Sequence, residues 1–433
     1  MSHPMHATTA AKAFGRDRLV LACDWLAVAL AASLPWSTSA TGILAGLWLV
    51  ALIPTLDVTA LRRELLTPAG GFPVLLCALG LAGMLWADVS FKERMGGLDS
   101  FLKLLVIPLL IFHFRRSEGG AWVVKGFLLS CCALLVLSWA QLLYPGIPFT
   151  KKVSAGVPVK DYVSQSAIFT VCIAILLDLA LKAWRSARAD IALACMLLAV
   201  AFLANIFFIA VSRTALLFLP VLLLLFGLKR FDWKGTLGLL VGFVVLIAAA
   251  WPFSAYLQHR VGTILQEVQI YRSENVRTSA GERLEFWKKS IGFVAAAPLI
   301  GHGTGTIREQ FRRVATGEEG VSALIAANPH NQTLAVAIQL GLVGVAALFA
   351  MWIAHLLLFR GEGLAAWIGL VVVVQNIVGS LFNSHLFDFT HGWGYVIGVG
   401  VAGGIVSAAR SRQLHGGAVG VGTMEREKVG HRD

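Results

Sequence analysis

The chain is poor in charge. Of its 433 residues, 14% are Asp, Glu, Lys or Arg, against about a quarter in a soluble domain. That leaves too little polar surface to face water on all sides, which excludes an ordinary soluble globular domain. A chain 57% hydrophobic with a mean hydropathy of +0.76 has the bilayer as its natural solvent. Metal and nucleotide signatures are also missing. There is no Asp-x-Asp, no His-Glu-x-x-His and no Gly-Lys-Ser/Thr phosphate loop. Cys23, Cys77, Cys131, Cys132, Cys172 and Cys195 all lie in apolar runs without pairing or metal spacing. They read as buried, reduced and structural. No cleavable signal peptide is expected, because the first apolar run is followed closely by others.

What is present is a net charge of +12. The basic residues fall mainly between apolar runs, where they act as topology signals rather than as a nucleic-acid surface. A span needs roughly 20 apolar residues. About twelve candidate runs are found, near 19–36, 40–56, 72–87, 99–114, 121–143, 164–184, 190–211, 213–228, 235–253, 331–358, 363–383 and 390–409. Lipid satisfies no backbone group, so all are expected to be helices. The expected fold class is an all-α polytopic membrane protein.

Alternate connections carry Lys12, Arg16 and Arg18; Arg62 and Arg63; Arg115 and Arg116; Lys182, Arg185 and Arg188; Lys229, Arg230 and Lys234; Arg360; and Arg410 and Arg412. This side is assigned to the cytoplasm, with both termini on it. The connection 144–163 holds three Lys on the other face and breaks the trend. The expected organisation is nine transmembrane helices in 1–253, a large periplasmic loop in 254–328, three more helices in 329–410, and a disordered cytoplasmic tail in 411–433. The loop holds nine Lys/Arg. Long loops cross regardless of charge, and loops of this length are functional or carry helices of their own.

The chemistry is expected in and around this loop. Ser279-Ala-Gly-Glu282 has capping-box spacing and puts Arg283 in the first turns of a helix, with Trp287 one turn on. The alternative is an interfacial helix anchored by Lys288, Lys289 and Trp287. Ser212 is suited to cap the helix beginning at Arg213, which then stands at the mouth of two spans; a snorkelling Arg is the alternative. In "APLIGHGTGTIREQFRR", Gly301, Gly303 and Gly305 read as a tight turn, with His302 and Arg308 as secondary candidates. Asn328-Pro329 reads as a helix start, N-cap followed by Pro. His330 and Asn331 then fall in the first turn, where the positive helix end favours a neutral imidazole suited to general-base work. A lone His is more often structural. Its company here is three basic residues on one face and two aromatics able to stack on a sugar, Trp287 and Tyr271. Within the spans, Asp24 and Lys103 are expected to snorkel, Asp178 and Lys182 to pair, and Asn205, His355, Gln375 and Asn376 to join helices.

These motifs together resemble the O-antigen ligase superfamily, which also holds O-antigen polymerases and bacterial O-linked oligosaccharyltransferases. His330-Asn331 is followed by nine residues and then Gly341-Leu-Val-Gly344, as in the family pattern. Ser212-Arg213, the "GERLEFW" around Arg283 and the "GHG" at Gly301 occur in family order. The motifs cover roughly 205–345, and the N-terminal half matches in hydropathy alone. The resemblance implies a GT-C-like membrane glycosyltransferase of the bacterial inner membrane, with no cofactor, no metal and no nucleotide sugar. It implies a polysaccharide on undecaprenyl pyrophosphate as donor and a lipid A–core sugar hydroxyl as acceptor. Carried over by position, Arg213 and Arg283 hold the pyrophosphate and His330 deprotonates the acceptor. A polymerase and a protein glycosylator would use the same residues. A lipid-linked glycan transporter is the rival from another class, but it would favour repeated halves and polar groups at mid-membrane.

Overall fold

Helix starts are written into the chain as short polar N-caps. Ser37, Asp57, Thr67, Ser90, Asp161, Ser212, Asp232, Thr278 and Asn331 each accept a bond from a backbone N–H three residues on, satisfying a donor that the first turn would leave orphaned. The computed structural model describes residues 5–147, 155–274, 276–317 and 319–429; it is 78% helical and has no strand among them. The helices are α1 (Met5–Ser33), α2 (Thr38–Leu52), α3 (Val58–Leu65), α4 (Pro68–Ala82), α5 (Phe91–Leu102), α6 (Val106–Phe114), α7 (Gly120–Leu143), α8 (Tyr162–Arg185) and α9 (Ala189–Phe208). They continue with α10 (Arg213–Arg230), α11 (Trp233–Ala250), α12 (Ala255–Glu274), α13 (Ser279–Ala296), α14 (Ile307–Arg313), α15 (Gln332–Leu358), α16 (Leu364–Ser380) and α17 (Phe389–Val429).

The twelve expected runs fall mainly on helices, but 99–114 is divided between α5, a 3-10 turn and α6, and 72–87 runs past the end of α4 at Ala82. Among the described residues, eight helical segments are long and apolar enough to cross a membrane, or nine if α3 and α4, bent by 82°, count as one. α16 is shorter, and α10 carries Arg213, Lys229 and Arg230. The stretch between α11 and α15 carries α12, α13 and α14 rather than bare loop. Lys151 and Lys152 of the 144–163 connection lie outside the described residues.

Several polar groups do join helices. Asn205 bonds Ser138 and Gln165, Gln375 donates to the Ala167 carbonyl, Asn376 accepts from Trp352, and His355 bonds Tyr395. Asp178 takes both Lys182 and Arg230. The snorkelling expectation is corrected. Asp24 bonds His113 (2.7 Å) and Ser117 (2.6 Å), and Lys103 is only 9% exposed. Asp24 is held by His113 and by Ser117 of the connection after α6, and Lys103 by carbonyls of the connection before α17, so both have polar partners within the protein. All six cysteines are free; Cys132 and Cys195 are only half-buried.

One feature positions the site. α15 is broken at Gly341, whose φ of 61° and ψ of −158° lie where essentially only glycine is stable. The segment 298–305 enters the break. His302 and Gly303 donate N–H to Ile338 and Gln339, and Leu342 and Val343 donate to Pro298 and Leu299. Gly301, Gly303 and Gly305 all have positive φ, so the expected tight turn is present and is wrapped around the kinked helix. A Cβ on Gly341 would strike the Leu299 backbone. Gly341→Ala is therefore expected to destabilise the protein by at least about 1–3 kcal/mol, read as a lower melting temperature in detergent. An unchanged melting temperature would mean that the break tolerates a side chain.

Candidate active site

The segment before α15 is arranged differently from the sequence expectation. The N-cap is Asn331, not Asn328: its side chain accepts from Leu334 N–H (3.0 Å) and donates to the Leu381 carbonyl (3.1 Å). Asn328 instead closes a turn onto its near neighbour, accepting the His330 N–H at 2.8 Å. An Asn side chain can satisfy an N–H two residues on as readily as one three residues on, and here tertiary partners select the former. His330 thus lies just outside the helix. Its φ of 53° is in the left-handed region, rare for a residue with a side chain. Asn328 holds its N–H, and the Trp287 indole donates to its carbonyl at 3.3 Å.

The imidazole has a defined tautomer. Its Nδ1 lies 3.0 Å from Asn383 Oδ1. The Asn383 amide cannot be turned round, because the same oxygen accepts the Ser384 N–H (2.9 Å) and the Asn328 amide (3.0 Å), while Nδ2 donates to Asp388 Oδ2 (3.2 Å). Nδ1 must then carry the proton, which leaves Nε2 as a lone-pair acceptor. Nε2 makes no hydrogen bond among the described residues. The ring stacks against Phe286, at 6.1 Å and 13°. Burial, and then the Arg283 charge, pull its pKa below the ordinary histidine value; the bond to Asn383 opposes them. The net effect favours the uncharged ring.

α13 supplies the next groups. Its cap is Thr278, one residue earlier than the sequence suggested, with Ser279 as the first helical residue. Ser279 is free to hold Arg283: its carbonyl and hydroxyl accept from Nη1 at 3.1 and 2.9 Å. Arg283 Nε is buried and has no partner among the described residues. Burial and the nearby Arg213 charge lower the Arg283 pKa. Arg213 stands at the first position of α10 behind its Ser212 cap, as expected. Both of its Nη groups bond the carboxylate of Glu267 on α12, Nη1 at 3.0 Å, and Nη2 also reaches Thr263 (3.1 Å). Glu267 in turn accepts the Ala280 N–H at the start of α13 (3.0 Å). The bond from Arg213, ahead of its other partners, holds the Glu267 pKa below the ordinary carboxylate value.

Arg213, Arg283 and His330 thus form one electrostatic neighbourhood, in which each guanidinium perturbs the next group. Asn331 adjoins His330 in the chain, but its side chain is taken by Leu334 and Leu381; Trp287 joins the neighbourhood through the His330 carbonyl. Tyr271 does so less directly, donating to Glu285 (2.9 Å) on α13. His302 does not join it. Its ring bonds the Phe293 carbonyl (2.9 Å), ten residues and about 15 Å along α13 from Arg283. Arg308 is exposed and lines a polar cavity with Asn328, Pro329, Ser384 and Asp388, beside the turn that carries His330. Lys289 is tied to the Ser322 carbonyl (2.7 Å). Sequence reasoning missed Asn383, Asp388 and Glu267. The signal for the first two is "FNSHLFD", a polar run at the junction between the expected runs 363–383 and 390–409.

Residues 198–349, about a third of the chain, match the family model described as O-antigen ligase. No match is found among curated proteins.

Proposed function

We propose, from the match of residues 198–349 to the family model described as O-antigen ligase, that the protein is a multi-pass membrane glycosyltransferase of that family, transferring a polysaccharide from undecaprenyl pyrophosphate to a sugar hydroxyl of lipid A–core at the periplasmic face of the inner membrane. The expected twelve-span topology, with both termini cytoplasmic and 254–328 periplasmic, belongs to this reading. The observation that carries it is a half-buried imidazole whose Nδ1 is held by Asn383, with Nε2 unbonded among the described residues and the Arg283 charge acting on it.

The chemistry follows from that arrangement. His330 Nε2 takes the proton from the acceptor hydroxyl as its oxygen attacks the anomeric carbon. The bond to the pyrophosphate oxygen breaks on the opposite side, which inverts that carbon. Arg283 and Arg213 stabilise the charge that develops on the departing pyrophosphate. A planar guanidinium suits a phosphate oxygen pair better than an ammonium does. Asn383 holds the tautomer, and Asp388 holds Asn383.

The test is purified protein in detergent with the lipid-linked glycan and lipid A–core. Formation of a new glycosidic bond, with release of the lipid pyrophosphate, is the expected result. Movement of the glycan across a vesicle membrane with no new bond would reject the enzyme reading. Replacing lipid A–core with a second glycan repeat or a periplasmic protein tests the choice of acceptor.

A further inference from the structure

We propose that Lys103 is a positioning residue for His330, acting through the 387–388 backbone and Asn383. The proposal rests on the reading of His330 as the base. Lys103 starts the short 3-10 turn, Lys103–Leu105, that breaks the apolar segment between α5 and α6. Its Nζ donates to the carbonyls of Phe387 and Asp388, both at 2.9 Å, from 284 and 285 residues away in sequence. Gly392 leaves room for it: a Cβ there would come within 2.7 Å of Nζ.

A buried ammonium whose bonds go to neutral carbonyls is expensive, and ionisable groups at membrane depth mark functional places by default. What this one holds is the loop that orients the base. Phe387 is gripped from both sides: its carbonyl is on Lys103, while Gln332 Oε1 on α15 accepts its N–H (3.3 Å) and that of Leu386 (2.9 Å). The Phe387 ring packs edge-on against Phe101 at 4.8 Å. Asp388 then accepts from Asn383 Nδ2, and Asn383 Oδ1 accepts the His330 Nδ1 proton. The chain of contacts runs unbroken from the N-terminal half to the imidazole. The titratable groups around the ring are Arg283 and Glu282 on α13, and Asp388 and His385 on the loop.

The experiment compares Lys103→Met, Lys103→Gln and Lys103→Arg in the transfer assay. Lys103→Met is expected to lower kcat on the order of tenfold to a hundredfold, the scale of a misplaced catalytic group, with donor KM within about twofold. Lys103→Gln and Lys103→Arg keep two donors and should recover part of the rate. Combined with Asn383→Ala, Lys103→Met should slow the enzyme no further than Asn383→Ala alone, because coupled groups do not add. The acid limb of the pH profile should move to lower pH, since a loosened Asn383 no longer favours the imidazolium. If the two effects multiply and the limb stays, Lys103 is merely structural. Should Lys103→Met fail to fold, Lys103→Gln carries the same comparisons. A second readout needs no turnover: the pH dependence of His330 modification by diethyl pyrocarbonate, followed by mass spectrometry. If wild type makes no product, the glycosyl-transfer reading falls, while an unshifted modification profile in Lys103→Gln and Lys103→Met overturns the positioning claim on its own.

Discussion

His330→Ala is expected to lower glycan transfer at least about a hundredfold, the lower bound for loss of a general base. Donor KM should change little, because both arginines and the tryptophan that flank the base remain. The wild-type pH profile supplies the sign. The protonated ring cannot accept a proton, so activity is lost as pH falls through a pKa that burial and Arg283 hold below the ordinary histidine value. Replacing Arg283 with Gln removes a positive neighbour and moves the limb of the residual activity toward higher pH. Asn383→Ala works the other way, since the Asn383 bond favours the charged ring, and it also frees the tautomer. Steady-state rates of the three variants between pH 5 and 8 check this. A His330→Ala enzyme within about threefold of wild type would leave the transfer without its base and sink the mechanism.

The fold was legible where local rules govern it. The apolar runs are mainly helical, as a bilayer demands of the backbone. Ser212 capped α10 as its position predicted, since an N-cap is a contact within four residues. The same rule misplaced two caps. Thr278 and Ser279 are both good caps, as are Asn328 and Asn331, and what selects between them lies elsewhere in the chain. Asn328 is consumed by His330, Asn383 and Ser384. Ser279 is consumed by Arg283. The candidate site divides in the same way. Arg213, Arg283 and His330 stood out because a charge or an imidazole beside an apolar run is locally odd. Asn383 did not, and Lys103 stood out only as an in-span charge, because their roles are bonds across 53 to 285 residues; Asp388 is only five residues from Asn383, but its role depends on Asn383 having one. Periodicity cannot show such pairings. Gly341 is an intermediate case. Its spacing from His330 was visible, but its reason, a glycine turn inserted into a broken helix, belongs to tertiary structure.

Arg283→Ala is expected to cost roughly 3–4 kcal/mol of transition-state stabilisation, or a hundredfold to a thousandfold in kcat. Arg283→Lys should recover little, because a point ammonium lacks the planar fork. The physical case rests on the state of this side chain. Its Nη1 is fixed by Ser279, and its Nε is buried without a partner among the described residues. An unmet buried donor is unfavourable until an acceptor arrives, so the leaving oxygens can be met without breaking an existing bond to Nε. Arg213 differs. Glu267 already holds both arms of its fork, so a phosphate must share or displace that carboxylate. Arg213→Ala would then remove a cation and also leave Glu267 unneutralised beside an anionic substrate. Arg213→Ala should therefore be rescued in part by adding Glu267→Gln, whereas Arg283→Ala should not. The comparison is kcat/KM for the lipid-linked donor in the four variants and wild type. Equal rescue of both arginine variants would mean that Glu267 acts on the site as a general negative field and not through Arg213, and the division of labour between the two guanidiniums would fail.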